Sequence, residues 1–202
     1  AAIADRLGEP DVAARCRDNA ADLKRRFNRD FWVEELGSFA VALGRHTEHV
    51  DSLTSNVGHC LWSGIVDDDR AQSVADRLMT PAMWSGWGIR TLAADEPGFD
   101  PMSYHCGTVW PHDGAICAAG LARYGMVQEA LTVSDGLLAA SEAWHGRLPE
   151  FFCGFDRRDI ATPVPFPTSC SPQAWAAATP LLLMRMLLGL EPDESGGLTV
   201  NP

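Results

Sequence analysis

Residues 111–144, PHDGAICAAGLARYGMVQEALTVSDGLLAASEAW, decide the fold. Pro111 suits the first turn of a helix, where an amide hydrogen would have no partner, and Ala115, Cys117, Leu121 and Tyr124 follow at helical spacing. Gly125 stands where a left-handed cap closes a helix, and from Met126 to Trp144 an apolar helical pattern resumes. Two helices joined by so short a turn run antiparallel against each other. The segment reads as a helical hairpin.

Working outward, the same theme repeats. Pro10 opens an amphipathic helix carrying Val12, Ala13, Cys16, Ala20, Leu23 and Phe27, which stops near Asn28. Residues 31–35 and 38–43, split by Gly37, predict a short β-hairpin. A further helix starts at 56–58 and carries His59, Leu61, Trp62 and Ile65. Asp67, Asp68 and Asp69 supply the acids that complement the start of the next helix, and Pro81 lies just past its end. Residues 84–101 form a long irregular connection, with 88–92 extended, and 145–171 form a second. Pro172 then opens a strongly apolar helix, which Pro180 is expected to bend or break. Its all-round apolarity implies cover on every side. Residues 198–200 form an extended tail. The fold class is therefore all-α: about six helices in antiparallel pairs, forming about half of an (α/α)6 toroid with β-hairpin decorations. Residues 1–202 read as one unit, the C-terminal portion of a longer catalytic domain, because the chain opens on helix-forming sequence without an initiator Met or a signal peptide.

Composition narrows the partners. A formal net charge of −11 repels polyanions, so nucleic acid is not expected. The apolar stretch beyond Ala174 is interrupted by Thr179, Pro180 and Arg185 and falls short of the roughly 20 residues of a membrane span, so no membrane partner is expected either. The six cysteines show no CxxC pair and no metal-ligand spacing and read as free thiols of a cytoplasmic protein. His46 and His49 lack companions for a metal site, and neither a metal nor a cofactor is expected.

Neutral polyols remain as ligands, since they need hydrogen bonds and stacking rather than a steering field. Three aromatic, glycine-bearing loops fit that need: 84–90 (WSGWGIR), 104–113 (YHCGTVWPHD) and 146–154 (GRLPEFFCG). Cleaving a glycosidic bond requires carboxyl groups on both sides of it. Glu150, fixed by Pro149 and flanked by Leu148, Phe151 and Phe152, is the candidate catalytic residue; a Glu pointing outward or paired with Arg147 is the plain alternative. Trp84, Trp87, Tyr104 and Trp110 are candidates for stacking on sugar rings, and His105, His112, Asp113 and Gln173 for bonding hydroxyls. Asp113 sits three residues past Trp110, where amides and the helix dipole favour a carboxylate, so helix capping is its competing role.

The stretches 55–65 (SNVGHCLWSGI), 84–92 (WSGWGIRTL), 104–115 (YHCGTVWPHDGA), 146–155 (GRLPEFFCGF) and 165–178 (PFPTSCSPQAWAAA) occur in the order found in a known family. The chain resembles the bacterial glycogen-debranching, amylo-alpha-1,6-glucosidase-like proteins, relatives of the (α/α)6-barrel glucosidases of the glycoside hydrolase family 63 type. That resemblance implies hydrolysis of α-glucosidic linkages in an oligo- or polysaccharide, with inversion and with Glu150 as general base. The general acid it implies is an aspartate in an earlier loop, for which this chain has no matching motif. The upstream remainder of its own chain is thus an expected partner, and the fragment alone is expected to be weakly active or inactive. Two other readings stay open: a sugar isomerase or epimerase using His59 and His105 for proton transfer, and a non-catalytic carbohydrate-binding domain.

Overall fold

The hairpin at 111–144 is present in the computed structural model, which describes residues 1–193 and 196–200. Helix α5 (Pro111–Arg123) is followed by α6 (Val127–Ser141), which ends in a 3-10 turn, Glu142–Trp144. The turn between them closes at Gly125 with φ of 79°, a conformation that costs an L side chain roughly 1–2 kcal/mol. Upstream lie α1 (Ala2–Arg6), α2 (Pro10–Asp30), α3 (Asn56–Ser63) and α4 (Asp68–Leu78), and α7 (Ala174–Leu187) follows the second long loop.

Helix α5 is the hub. It packs against α3, α6 and α7, while α4 packs on α3. Close approach of α3 and α5 depends on two glycines facing each other. A Cβ on Gly120 would stand 2.7 Å from the Gly58 carbonyl oxygen and 2.7 Å from the Trp62 amide nitrogen, so only hydrogen fits there. Around this crossing Leu61, Val74, Leu78, Ile89, Leu121, Val133 and Leu137 fill one continuous apolar core. The result is an all-helical array of antiparallel pairs, as part of an (α/α)6 toroid requires.

Strands are few and short. The expected hairpin pairs β1 (Trp32–Val33) with β2 (Ser38–Phe39), Trp32 opposite Phe39. The expected strand at 38–43 is split: Ala42–Leu43 (β3) pairs instead with β4 (His49–Val50), a second hairpin whose return strand the sequence pattern leaves unassigned. The extended tail at 198–200 is β6 (Leu198–Val200), paired with β5 (Leu190–Pro192).

Two expectations for α7 need correction. The helix runs through Pro180 instead of breaking there, because only one ladder bond is lost and neighbouring turns keep theirs. Nor is it covered on all sides: Ala176, Thr179 and Leu183 face inward, but Trp175, Leu181, Met184 and Leu187 are exposed. All-round apolarity therefore does not correspond to all-round burial in this helix. Among the described residues no helix is long and apolar enough to cross a membrane, and all six cysteines are free thiols.

Candidate active site

The first residues of α3, α5 and α7 gather at one cleft of about 430 Å³, a size typical of small-molecule sites at roughly 300–1,000 Å³. Thr54, Ser55 and Asn56 come from the start of α3, Trp110, His112 and Asp113 from the start of α5, and Trp175 from the start of α7. Tyr104 and His105 descend from the loop ahead of α5. Helix N-termini present unpaired amides and a positive dipole end, which suits oxygen-rich ligands.

The loops that carry these residues are held by single β-bridges rather than by a sheet. Thr54 pairs with Leu92, Arg90 with Val109, Val109 with Phe152, and Phe152 with Pro165. Val109 and Phe152 exchange both amide bonds, at 2.9 and 3.0 Å. Beneath them Arg90 is buried and donates from Nε to the Gly154 carbonyl at 2.7 Å and from Nη1 to the carbonyls of Pro81 and Ala82 at 2.9 and 3.1 Å. Its Nη2 lies 3.6 Å from Asp156, whose carboxyl is pulled down to about 2, chiefly by the hydrogen bond from Arg158. At Gly154 the chain passes so close to Gly107 that a Cβ would overlap the Gly107 carbonyl oxygen.

Glu150 emerges from this clamp. Its amide donates to the Cys170 carbonyl at 2.8 Å, and the next amide, of Phe151, donates to Ser169 Oγ at 3.1 Å. The residue is 8% exposed, so a carboxylate there is largely stripped of water. Tyr104 donates its hydroxyl to Oε1 at 3.4 Å, and the Cys170 amide donates to Oε2 at 3.3 Å. Among the described residues no cation pairs with Glu150, and Arg147 forms no ion pair with it. The Cys170 thiol is pushed up, first by its hydrogen bond with this carboxylate. Tyr104 also titrates above its ordinary value, through desolvation first and then the Glu150 charge.

Aromatic rings build the wall beside the carboxylate. Trp110 lies between Phe151, stacked at 4.6 Å, and His105, stacked at 5.6 Å. Its indole nitrogen donates to Thr108 Oγ1 at 3.0 Å. Trp110 is thus buried in the wall, whereas Tyr104 at 45% and Trp175 at 46% exposure offer ring faces to a ligand. Trp175 stacks on His112 at 4.2 Å. Burial lowers the His112 imidazole from its ordinary value, which favours its neutral form. His112 Nδ1 and Asp113 Oδ2 are buried atoms without a partner among the described residues. His59 Nε2 lies 2.5 Å from Asp113 Oδ1. Gln173 caps α7 through its own side-chain oxygen, which accepts from Ala174.

A family model described as "Mannosylglycerate hydrolase MGH1-like glycoside hydrolase domain" matches residues 1–156, with the cleft walls from α3 and α5 and Glu150 inside the match. The chain belongs to that family. A glycoside hydrolase domain is what the MGH1-like match establishes. Glycogen debranching is a finer assignment than that match carries. No curated protein matches the chain.

Solved structures agree on the fold. The family 63 mannosylglycerate hydrolase of Thermus thermophilus, solved with glucose, is 21% identical with a TM-score of 0.63 over 78% of this chain and 37% of that one. A protein described as a sialidase matches 98% of this chain and 19% of its own at 13% identity and a TM-score of 0.79. Neutral trehalase Nth1 from Saccharomyces cerevisiae gives 14% identity and 0.62 over 81% and 29%. This MGH1-like chain thus spans just over a third of the length of the mannosylglycerate hydrolase.

The structure sorts the expected site residues of the MGH1-like domain. It gathers Tyr104, His105, Trp110, His112 and Asp113 around one cleft, with the buried Glu150 reaching it through Tyr104. It places Trp84 and Trp87 elsewhere: Trp84 lines a separate hollow with Asp156 and Arg158, and the buried Trp87 ring is covered by the Arg157 guanidinium at 4.1 Å. Trp62 stands at the other end of α3, beside Leu182 and Met186. Sequence reading missed Thr54, Ser55, Asn56, Thr91 and Trp175 as cleft residues. For all but Thr91 the shared signal was position at or just before a helix start, which spacing alone does not connect across well over half of the chain.

Proposed function

We propose that this domain works in an inverting glycoside hydrolase acting on α-glucosidic linkages of an oligo- or polysaccharide, with Glu150 as general base. What carries the reading is the state of one carboxyl group: buried, unpaired with any cation among the described residues, and oriented by Tyr104 and the Cys170 amide. A base of this kind takes a proton from the water that attacks the anomeric carbon, while an acid on the opposite face protonates the leaving oxygen. Tyr104 and Trp175 supply ring faces for a pyranose, and His105, Trp110, His112 and Asp113 line the space where its hydroxyls would lie, while Gln173 caps the helix that carries Trp175. Trp84 and Trp87 act on the loop scaffold in this reading rather than on sugar.

A second reading concerns the substrate alone. The family description favours a small glycoside of a sugar acid, of the mannosylglycerate kind, over a branched glucan.

Both are tested in the parent protein that contains this domain. Its activity is followed by proton NMR on α-linked gluco-oligosaccharides, on a branched glucan and on mannosylglycerate, so that both the substrate and the first anomer released are read. Glu150→Gln should lower kcat by roughly 10² to 10⁴-fold with little change in KM. A retained anomeric configuration, or a variant with kcat unchanged, would remove Glu150 from the role of base.

A further inference from the structure

His59, Asp113 and Cys117 meet where α3 crosses α5, with Asp113 also in the wall of the cleft, and no proton transfer of the proposed hydrolysis uses them as a set. Asp113 and Cys117 are four residues apart on α5 and so lie on one face of it, one turn apart. His59 reaches them from α3 across the crossing where Gly58 packs on Cys117. One nitrogen, one oxygen and one sulfur atom lie within 4.8 Å of one another. Asp113 is 9% exposed, and its Oδ2 has no partner among the described residues. The Cys117 thiol is fully buried and has only a weak contact, 3.5 Å, with the Ser55 carbonyl. His59 is 38% exposed at its side chain, which leaves an approach from solvent.

We propose that these three residues bind a divalent transition-metal cation of borderline softness, of the zinc class, with its fourth position open to the cleft. The donor set carries the choice of metal. A thiolate with an imidazole and a carboxylate suits zinc and disfavours calcium or magnesium, which take oxygen alone. With bonds of about 2.0–2.2 Å to N and O and about 2.3 Å to S, donors on one tetrahedral ion stand roughly 3.4–3.6 Å apart. The 2.5 Å contact between His59 and Asp113 therefore opens by about 1 Å and the sulfur closes by a similar amount, shifts within reach of side-chain torsions. On binding, the metal replaces the proton shared by His59 and Asp113 and the proton of the Cys117 thiol, both of which pass to solvent. The proposal is independent of hydrolysis, because its readout is spectroscopic.

The test uses the full 202-residue chain with the exposed cysteines Cys16, Cys106 and Cys170 changed to serine, reduced and stripped of metal. Titration with cobalt(II) should give, at one equivalent, a sulfur-to-cobalt charge-transfer band and the visible bands of a tetrahedral ion, both bleached by zinc. Cys117→Ser should remove the charge-transfer band. Because a buried substitution can upset folding, His59→Gln serves as the second variant, at a half-exposed site; circular dichroism should be unchanged and cobalt affinity should fall about tenfold or more. Absence of a charge-transfer band in the parent, or its survival in Cys117→Ser, overturns the site, as does an unaltered affinity in a folded His59→Gln.

Discussion

The hydroxyl of Tyr104 and the carboxylate of Glu150 belong to loops 46 residues apart, and their contact at 3.4 Å is long for an O–H donor. Such a bond orients more than it stabilises. Tyr104→Phe in the parent protein is accordingly expected to lower kcat by about tenfold or less, since a hydrogen bond to a charged group contributes roughly 1.5–3 kcal/mol at good geometry. Trp175→Ala removes a ring face instead of an orienting donor and should raise KM while leaving kcat nearly unchanged; steady-state kinetics on both variants separates the two roles. At this scale the sequence was informative where chemistry is local. Glu150 stood out because Pro149, Phe151 and Phe152 surround it in the chain. The sequence offered His59 only as a proton-transfer residue of the isomerase reading, and not its pairing with Asp113, 54 residues away.

Helix α5 shows why the element scale was the most legible. Pro111, the apolar spacing and Gly125 are one-dimensional signals, and each has a direct mechanical meaning. The crossing with α3 was not legible, because nothing in GAICAAG tells that another backbone passes where a Cβ on Gly120 would stand. Gly120→Ala should therefore destabilise the domain by about 1–3 kcal/mol through overpacking. Gly125→Ala has open space around the new methyl, and only its left-handed conformation opposes it, at roughly 1–2 kcal/mol. Urea unfolding of the two variants reads both losses. For α7 the sequence misled, since composition reports how apolar a helix is and not which neighbours are present to cover it.

Across the whole molecule the long loops are tied to the core through Arg90 and Asp156. Asp156 titrates at about 2 against an ordinary 3.8, a depression led by the Arg158 hydrogen bond. A depressed carboxyl stabilises the folded state above its unfolded value and loses that contribution as pH falls through its folded one. Asp156→Asn should consequently be less stable than the parent at neutral pH, and the gap should narrow below about pH 4 and close near pH 2, as thermal melts at successive pH values would record. The fold class emerged from sequence because helix pairing is periodic and local. The assembly of the cleft did not, because three helix starts spread from Asn56 to Ala174 converge only in space.

Those helix starts are joined by isolated bridges at Val109 and Phe152, with free loop on either side of each. Like a coat closed by a few buttons, the rim can gain or lose cloth between fastenings without shifting what they hold. Natural drift, or a designer, can lengthen the segment around residues 95–100, ahead of Tyr104 and His105, and so reshape what the mouth admits, while the carboxylate behind Pro149 keeps its aim.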